Sequence, residues 1–160
     1  MPPFFDAQAW RKGRAGDLLA IFLAPTANKP MSTPRISVVI PLHNEERLIP
    51  TLLARTVAAL TEVTGEFEIV CVDDGSRDGT AAELAATKQR CAQLRTVTHV
   101  VPGGQSAALW TGVRAARAQA IVTLDGDGQN NPAFLPALLD ALAPDDVGLE
   151  IGRASCRERV

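Results

Sequence analysis

The sequence predicts an α/β fold built on an open, mainly parallel sheet with helices on both faces. Short apolar runs alternate with helical patterns four times between residues 36 and 142. Each run is apolar at nearly every position, which is typical of strands covered on both faces, as in parallel sheets. Strands that alternate with helices favour a parallel sheet with right-handed crossovers.

The first strand and the first helix are marked by β-branched residues and by prolines. Residues 36–40 are Ile, Ser, Val, Val and Ile, and Pro41 is expected to end the strand. Apolar residues then recur at helical spacing over residues 49–60. Because proline is tolerated only in the first turn of a helix, Pro50 indicates that this helix begins near Leu48.

The rest of the pattern repeats the same order three times. Strands are predicted over residues 67–72, 94–101 and 120–124. Helices are predicted over residues 80–92 and 107–118, with a last one after Asn131. Asn131 is a preferred cap residue and Pro132 a preferred first-turn residue, so together they mark the start of the last helix.

The two ends of the chain depart from this pattern. Residues 1–34 hold five prolines and no sustained period, which predicts a disordered leader or a mis-assigned start upstream of Met31. A fifth strand is expected to begin at Val147. Residues 150–160 then show no period and are rich in arginine. They are either a solvated basic tail or, as we favour, the in-frame translation of a sequencing adapter.

Composition and charge exclude several classes of protein. A length of 160 residues suits one domain or part of a larger one, and a net charge of -2 gives no electrostatic case for nucleic acid binding. No run approaches the roughly 20 apolar residues that span a bilayer. Three cysteines without a CxxC pair exclude a disulfide scaffold and a thiolate zinc site. Reduced thiols in a cytoplasmic protein are the simpler expectation.

Acidic residues follow three of the predicted strands. Glu45 comes after the first strand, Asp73 and Asp74 after the second, and Asp125 and Asp127 after the fourth. Because the carboxyl ends of parallel strands share the edge of a sheet where ligands bind, we expect these side chains to lie close together. Turn chemistry accounts for any one of these loops, but it accounts poorly for all three at the same edge.

Repulsion among these carboxylates predicts a cation site. Two unit charges about 5 Å apart repel by roughly 3 kcal/mol at an effective dielectric constant near 20. A hard divalent cation, Mg²⁺ or Mn²⁺, would offset this repulsion through Asp125 and Asp127, with the carbonyl oxygen of Gln129 as a further ligand. Since Mg²⁺ fills its other positions with water and phosphate oxygens, the acidic edge would become a diphosphate site.

Other motifs with similar residues are excluded. A calcium loop that starts at Asp125 would need glycine at its sixth position and glutamate at its twelfth, where this chain has Asn130 and Pro136. The chain lacks GxGxxG after the first strand and lacks GxxxxGK[ST] altogether. A phosphatase with an aspartate nucleophile would need lysine and serine or threonine from other loops, and no convincing set is present.

Three segments together resemble the family 2 glycosyltransferases of the GT-A (Rossmann-like) fold. They are residues 38–46 (VVIPLHNEE), residues 72–80 (VDDGSRDGT) and residues 124–132 (LDGDGQNNP). The most similar subgroup is the polyprenyl-phosphate sugar transferases of the dolichyl-phosphate mannose synthase type. The resemblance implies that residues 35–149 are the nucleotide-sugar-binding half of such a domain, truncated at its C-terminal side.

The resemblance also implies roles for the matching residues. Those implied to bind the nucleotide sugar are Pro41, His43, Glu45, Val72, Asp74, Asp125, Gly126 and Asp127. Val72 and Asp74 would hold the nucleobase, and the Asp74 carboxylate would accept a ring N–H. Asp125, Asp127 and Gln129 would bind Mg²⁺ or Mn²⁺. Many relatives have an aromatic residue where this chain has His43, and a bulky apolar residue where it has Gly128.

The implied activity is inverting transfer of a sugar from a nucleoside diphosphate sugar to a polyprenyl phosphate such as dolichyl or undecaprenyl phosphate. No catalytic residue is identified within the chain, since an ionised phosphate acceptor needs no strong base. We expect these 160 residues to bind the donor with little turnover, and the full-length protein to work at the cytoplasmic face of a membrane. Two alternatives stay open: transfer to a polysaccharide hydroxyl, which needs a carboxylate base, and a non-catalytic nucleotide-binding domain.

Overall fold

The computed structural model describes residues 34–140 in full, together with the backbone of Ala20–Leu23 and Glu150–Ile151. The strands in these residues are β1 (Ala20–Leu23), β2 (Ile36–Leu42), β3 (Phe67–Asp73), β4 (Leu94–Thr98), β5 (Ala120–Thr123) and β6 (Glu150–Ile151). The helices are α1 (Ile49–Val63), α2 (Thr80–Lys88), α3 (Gln105–Ala115) and α4 (Leu135–Asp140), with a 3₁₀ turn at Pro132–Phe134 before α4.

The described strands form one sheet in the order β4-β3-β2-β5-β1-β6. The four strands β4, β3, β2 and β5 run parallel, whereas β1 is antiparallel to both β5 and β6. Each parallel neighbour is reached through an intervening helix, as the alternating pattern requires. The predicted α/β class and mainly parallel sheet are therefore confirmed.

Alternation along the central strands buries both faces of the sheet. Val39, Val70 and Val72 face one side, where they pack with Ala108 of α3. The intervening residues face the other side and form a core with α1, α2 and α4; those on β2 and β3 are Ile36, Val38, Ile40, Leu42, Phe67, Ile69 and Cys71. Helices thus cover both faces, as predicted, because a continuous apolar run supplies side chains to each.

Strand β2 continues through Pro41, contrary to the expectation that this proline ends it. The Val39 carbonyl accepts a hydrogen bond from Leu124 of the β5 side, and the Leu42 carbonyl accepts one from Asp74 after β3. Since alternate residues direct their backbone groups to opposite neighbours, Pro41 faces the β5 side, where the ladder has already ended at Thr123. The missing N–H of proline therefore costs no ladder bond.

Strand β4 ends earlier than the apolar run that predicted it. Its last paired residue is Thr98, which lies opposite Asp73 at the end of β3. Val100 and Val101 extend beyond this partner and are 98% and 73% exposed. The prediction of a strand to residue 101 was wrong because β4 pairs with β3 alone, and residues beyond the end of β3 have no strand to pair with.

The helix boundaries differ from the sequence pattern by a few residues. Helix α2 ends at Lys88, four residues before the end of the predicted range 80–92. Helix α3 (Gln105–Ala115) begins two residues and ends three residues before the predicted range 107–118. The last helix begins as predicted: the Asn131 side chain accepts a hydrogen bond from the Ala133 backbone N–H at 3.1 Å.

The first and the last described strands, β1 and β6, pair with each other at one side of the sheet. Four residues of the predicted leader form β1, whose Ala20 pairs with Thr123. Within the stretch expected to hold a fifth strand, Glu150–Ile151 pairs with β1 as β6. The remainder of residues 1–33, residues 141–149 and residues 152–160 lie outside the described residues, so the leader and adapter predictions stay predictions. Among the helices that the structure describes, none has the length and apolarity needed to cross a bilayer.

Replacing Gly112 by valine is expected to destabilise the fold by about 3 kcal/mol. Gly112 is where α3 approaches the sheet, and a Cβ there would collide with the Val39 side chain and come within 3.1 Å of Val72. Urea denaturation measures the effect. Gly65→Val is the matched control, because no atom lies within 4 Å of a Cβ at Gly65. Equal unfolding midpoints for both variants would contradict the assigned α3–sheet contact.

Candidate functional site

A cleft of about 230 Å³ opens at the carboxyl ends of β2, β3 and β5. Seven of the eight residues predicted to bind a nucleotide sugar line it: Pro41, His43, Glu45, Asp74, Asp125, Gly126 and Asp127. Leu42, Gln105 and Ala108 complete its lining. Asp74 and Asp127, which come from loops more than 50 residues apart in the chain, thus share one cleft, as the parallel sheet requires.

Val72 and Gln129 lie elsewhere. The Val72 side chain was expected at the nucleotide site. It is fully buried and packs toward α3, so it does not line the cleft. Its position follows from strand alternation, which places Val72 and Asp73 on opposite faces of β3. Gln129 is exposed outside the cleft lining, and its backbone N–H donates to Asp127 Oδ1 at 3.0 Å. A metal-ligating role for Gln129 stays a prediction.

The loops after β2 and β3 are tied to each other by hydrogen bonds. The Asn44 N–H donates to Ser76 Oγ at 2.9 Å, and Asn44 Oδ1 accepts from the Arg77 N–H at 2.8 Å. Asn44 adopts a left-handed backbone with φ of 59°, which asparagine tolerates better than most residues. Further bonds join Glu45 and Glu46 to Asp78, Gly79 and Thr80. The segment DGSRDGT therefore holds the first loop in place at the cleft.

Asp74 binds the loop that precedes α3. Its Oδ1 accepts hydrogen bonds from the Gly103 N–H at 2.8 Å and from His99 Nδ1 at 2.7 Å, and its Oδ2 accepts from the Gly104 N–H at 2.7 Å. We call these four residues the Asp74 clasp. Burial alone would raise the pKa of Asp74, but the hydrogen bonds from Gly103, His99 and Gly104 outweigh burial and lower the pKa below its usual value. The carboxylate is therefore charged and held on both oxygens.

Two histidines are fixed beside this carboxylate. His99 Nε2 lies 2.9 Å from Thr111 Oγ1 of α3, so the ring bridges the clasp to the helix. His43 Nδ1 lies 2.8 Å from the Asp74 backbone oxygen. Because a carbonyl can only accept, the proton of this bond is assigned to His43 Nδ1. Both rings therefore have a defined orientation, and His43 also lines the cleft.

Asp125 is held by two side-chain amides. Gln105 Nε2, from the first residue of α3, donates to Asp125 Oδ1 at 2.9 Å. Asn130 Nδ2 donates to Oδ2 at 3.0 Å. Neither amide is among the residues predicted to bind the nucleotide sugar or the cation. The adjacent Gly126 is packed so closely that a Cβ would come within 2.5 Å of the Pro41 carbonyl oxygen, so only glycine fits there.

The cleft carries an excess of negative charge. Its lining includes four carboxylates, those of Glu45, Asp74, Asp125 and Asp127, and no lysine or arginine. Partial burial raises the pKa of Glu45, and the nearby charges of Asp127 and Asp78 raise it further, whereas His43 lowers it. Among the described residues, no three His, Cys, Asp or Glu side chains converge on one point as a complete metal site. The two carboxylates that follow β5, Asp125 and Asp127, both line the cleft, and a hard cation such as Mg²⁺ typically takes one or two carboxylates and obtains its other ligands from water or phosphate.

Sequence comparisons relate this region to sugar transferases. Residues 37–158 match the family model described as Glycosyl transferase family 2. The chain is 43% identical over 117 residues to the undecaprenyl-phosphate 4-deoxy-4-formamido-L-arabinose transferase of Pseudomonas paraeruginosa, covering 72% of this chain and 34% of that protein. It is 34% identical over 126 residues to the dodecaprenyl-phosphate galacturonate synthase of Rhizobium johnstonii, covering 78% and 37%. The chain thus spans about a third of the length of these curated relatives.

Two solved structures that hold a nucleotide or a nucleotide sugar share the fold. The mannosyltransferase PcManGT from Pyrobaculum calidifontis, in complex with GDP-Man and Mn²⁺, is 28% identical with a TM-score of 0.52, covering 64% of this chain and 30% of that one. S. aureus TarS 1-349 in complex with UDP is 26% identical with a TM-score of 0.55, covering 67% and 32%.

Proposed function

The chain belongs to glycosyl transferase family 2, and on that premise we propose that it binds the nucleoside diphosphate sugar donor of a polyprenyl-phosphate sugar transferase. The observation that carries this proposal is the acidic cleft at the strand ends, which holds four carboxylates and no lysine or arginine. A diphosphate is itself anionic and would be repelled by such a cleft. A divalent cation, Mg²⁺ or Mn²⁺, between the carboxylates and the diphosphate removes this repulsion.

Different residues of the cleft are proposed to contact different parts of the donor. We propose that Asp125, Gly126 and Asp127 meet the sugar, ribose and cation, with Gln129 as a further metal ligand. Pro41, His43 and Glu45 line the nucleotide, and Asp74 faces the nucleobase beside the β3 segment that contains Val72. The cation would supply positive charge to the leaving diphosphate as the glycosidic bond breaks. The chain's own task is to hold the donor in one orientation.

The acceptor proposed here is a polyprenyl phosphate. The two curated relatives named above carry undecaprenyl phosphate and dodecaprenyl phosphate in their names. A phosphate oxygen is already ionised near neutral pH, so it can attack the anomeric carbon and invert it without a strong general base. We propose that the full-length protein works at the cytoplasmic face of a membrane.

Donor binding tests the first half of the proposal. Titration of the 160-residue chain with UDP and with GDP, each with and without Mn²⁺, should show that the cation strengthens the binding of at least one nucleotide about tenfold or more. Equal affinities with and without Mn²⁺ would favour a nucleotide-binding domain that uses no metal. The absence of any nucleotide binding would contradict the proposed function.

The acceptor is tested with radiolabelled UDP-sugars and GDP-sugars. Full-length protein should label undecaprenyl phosphate, and the product should have the anomeric configuration opposite to that of the donor. Labelling of a polysaccharide hydroxyl in place of the lipid phosphate would support the alternative acceptor and leave the donor proposal standing.

A further inference from the structure

We propose that Gln105 is a positioning residue for the cation-binding carboxylate of Asp125, and that the Asp74 clasp acts on the cation site through Gln105. This inference rests on the proposed function, because it concerns the same cleft. It assigns a role to an amide and to a glycine loop that the sequence motifs do not include. The clasp would then couple the β3 loop to the loop after β5.

The chemistry of the contact fits a positioning role. Gln105 donates to one Asp125 oxygen and Asn130 to the other, at 2.9 and 3.0 Å. Two donors on two oxygens fix the plane of a carboxylate. Lysine or arginine would partly neutralise the carboxylate. An amide carries no net charge, so it orients the carboxylate without neutralising it. The two amides therefore orient Asp125 without placing a positive charge on either oxygen.

The two amides differ in origin, and this difference singles out Gln105. Asn130 belongs to the same loop as Asp125 and is 95% buried, so it supports that loop locally. Gln105 comes from α3 and is exposed. Its hydrogen bond joins α3 to Asp125 across the cleft. Holding an exposed glutamine in such a contact costs side-chain entropy, and a backbone that is already fixed adds no further ordering cost.

The clasp supplies that fixed backbone. The two residues immediately before Gln105 are Gly103 and Gly104, whose N–H groups bind the two oxygens of Asp74. Gly104 has φ of 86°, a conformation that residues with a Cβ rarely adopt, so the chain turns into α3 at one defined angle. Gln105 is the first residue of α3 and starts from this turn. Asp74 thus fixes the backbone position from which the Gln105 side chain extends, and Gln105 fixes the orientation of the Asp125 carboxylate.

Gln105→Ala tests the inference in the 160-residue chain. Titration with Mn²⁺ and UDP or GDP should show a loss of about threefold to tenfold in cation-supported nucleotide affinity, the usual net worth of one ordinary hydrogen bond. Nucleotide affinity without cation and the thermal midpoint should stay unchanged. Gln89→Ala, which removes an exposed glutamine at the end of α2, is the matched control and should lose nothing.

Two further variants separate positioning from a direct contact with the donor. Gln105→Glu should lose more affinity than Gln105→Ala, because a second carboxylate would repel Asp125. Asp74→Ala should lower the cation-supported affinity, and adding Gln105→Ala to it should cost little more, since both changes break one path.

The outcomes distinguish this inference from the proposed function. Wild-type chain that binds no nucleotide with Mn²⁺ would overturn the proposed function and the inference together. Wild-type chain that binds with Mn²⁺, while Gln105→Ala binds equally well, would overturn the inference alone. A Gln105→Ala loss of equal size with and without cation would also overturn it, because the residue would then touch the nucleotide and not act through Asp125.

Discussion

Replacing Asp127 by alanine is expected to lower Mn²⁺-supported binding of UDP or GDP by about 100-fold or more. The Asp127 carboxylate is exposed in the cleft. Burial is the main cause that raises the pKa of Glu45, and the nearby charge of Asp127 raises this pKa further. Loss of an outer-sphere partner typically costs about tenfold to 100-fold in metal affinity, and a direct ligand is expected to cost at least as much. Titration calorimetry with and without Mn²⁺ measures the difference.

A control for net charge accompanies this variant. Glu62→Ala removes one negative charge from the exposed side of α1, outside the cleft lining, and should leave the affinity unchanged. Asp127→Ala should also raise the weak affinity measured without cation, since one repulsive charge has gone. An Asp127→Ala chain that keeps its Mn²⁺-supported affinity would remove the cation from the proposed site and favour a metal-free nucleotide-binding domain.

The sheet and its acidic edge could be predicted because both depend on the order of residues along the chain. Apolar runs that alternate with helices leave few arrangements other than a parallel sheet, and in such a sheet the ends of β2, β3 and β5 must meet. Glu45, Asp74 and Asp127 therefore came together as predicted, although they belong to three separate loops. The match to the family model confirms the resemblance that the three motifs carried.

The partners of these carboxylates could not be predicted in the same way. Gln105 meets Asp125 across 20 residues, and Gly103 meets Asp74 across 29, so no local spacing marks either pair. The one available signal was Gly103 and Gly104 between a strand and a helix, which indicates a turn but not what the turn binds. A glycine pair with backbone N–H groups to satisfy is a reason to look for a carboxylate nearby.

Val72 shows the opposite case, in which a motif predicted more than the geometry supports. Its place beside Asp74 in a shared motif suggested a shared ligand, but alternation along β3 turns its side chain toward α3. Only the backbone of Val72 is therefore left to contribute near the cleft. A residue can belong to the motif without lining the cleft, and the alternation of side chains along β3 decides which motif residues do so.

Replacing Asp74 by alanine is expected to destabilise the fold by about 2–4 kcal/mol at neutral pH, in addition to its effect on nucleotide binding. The change leaves the Gly103 and Gly104 N–H groups and the His99 ring without their common acceptor, and each lost partner in a partly buried setting costs about 1 kcal/mol or more. The loop before α3 should then lose its fixed turn. Urea denaturation of the two proteins measures the loss.

The pH dependence of this difference identifies the carboxylate as its source. The hydrogen bonds of the clasp outweigh burial and lower the pKa of Asp74 from its ordinary value of 3.8, so the folded state favours the charged form. Its contribution is therefore fully present above about pH 4 to 5 and is lost as the pH falls through the lowered pKa. The stabilities of wild-type and Asp74→Ala proteins should differ most near neutral pH and converge below pH 4.

The control is Asp140→Ala, which removes an exposed carboxylate on α4 and should show neither the destabilisation nor the convergence. A difference between wild type and Asp74→Ala that persists unchanged at low pH would mean that the packing of residue 74, and not its charge, holds the loop.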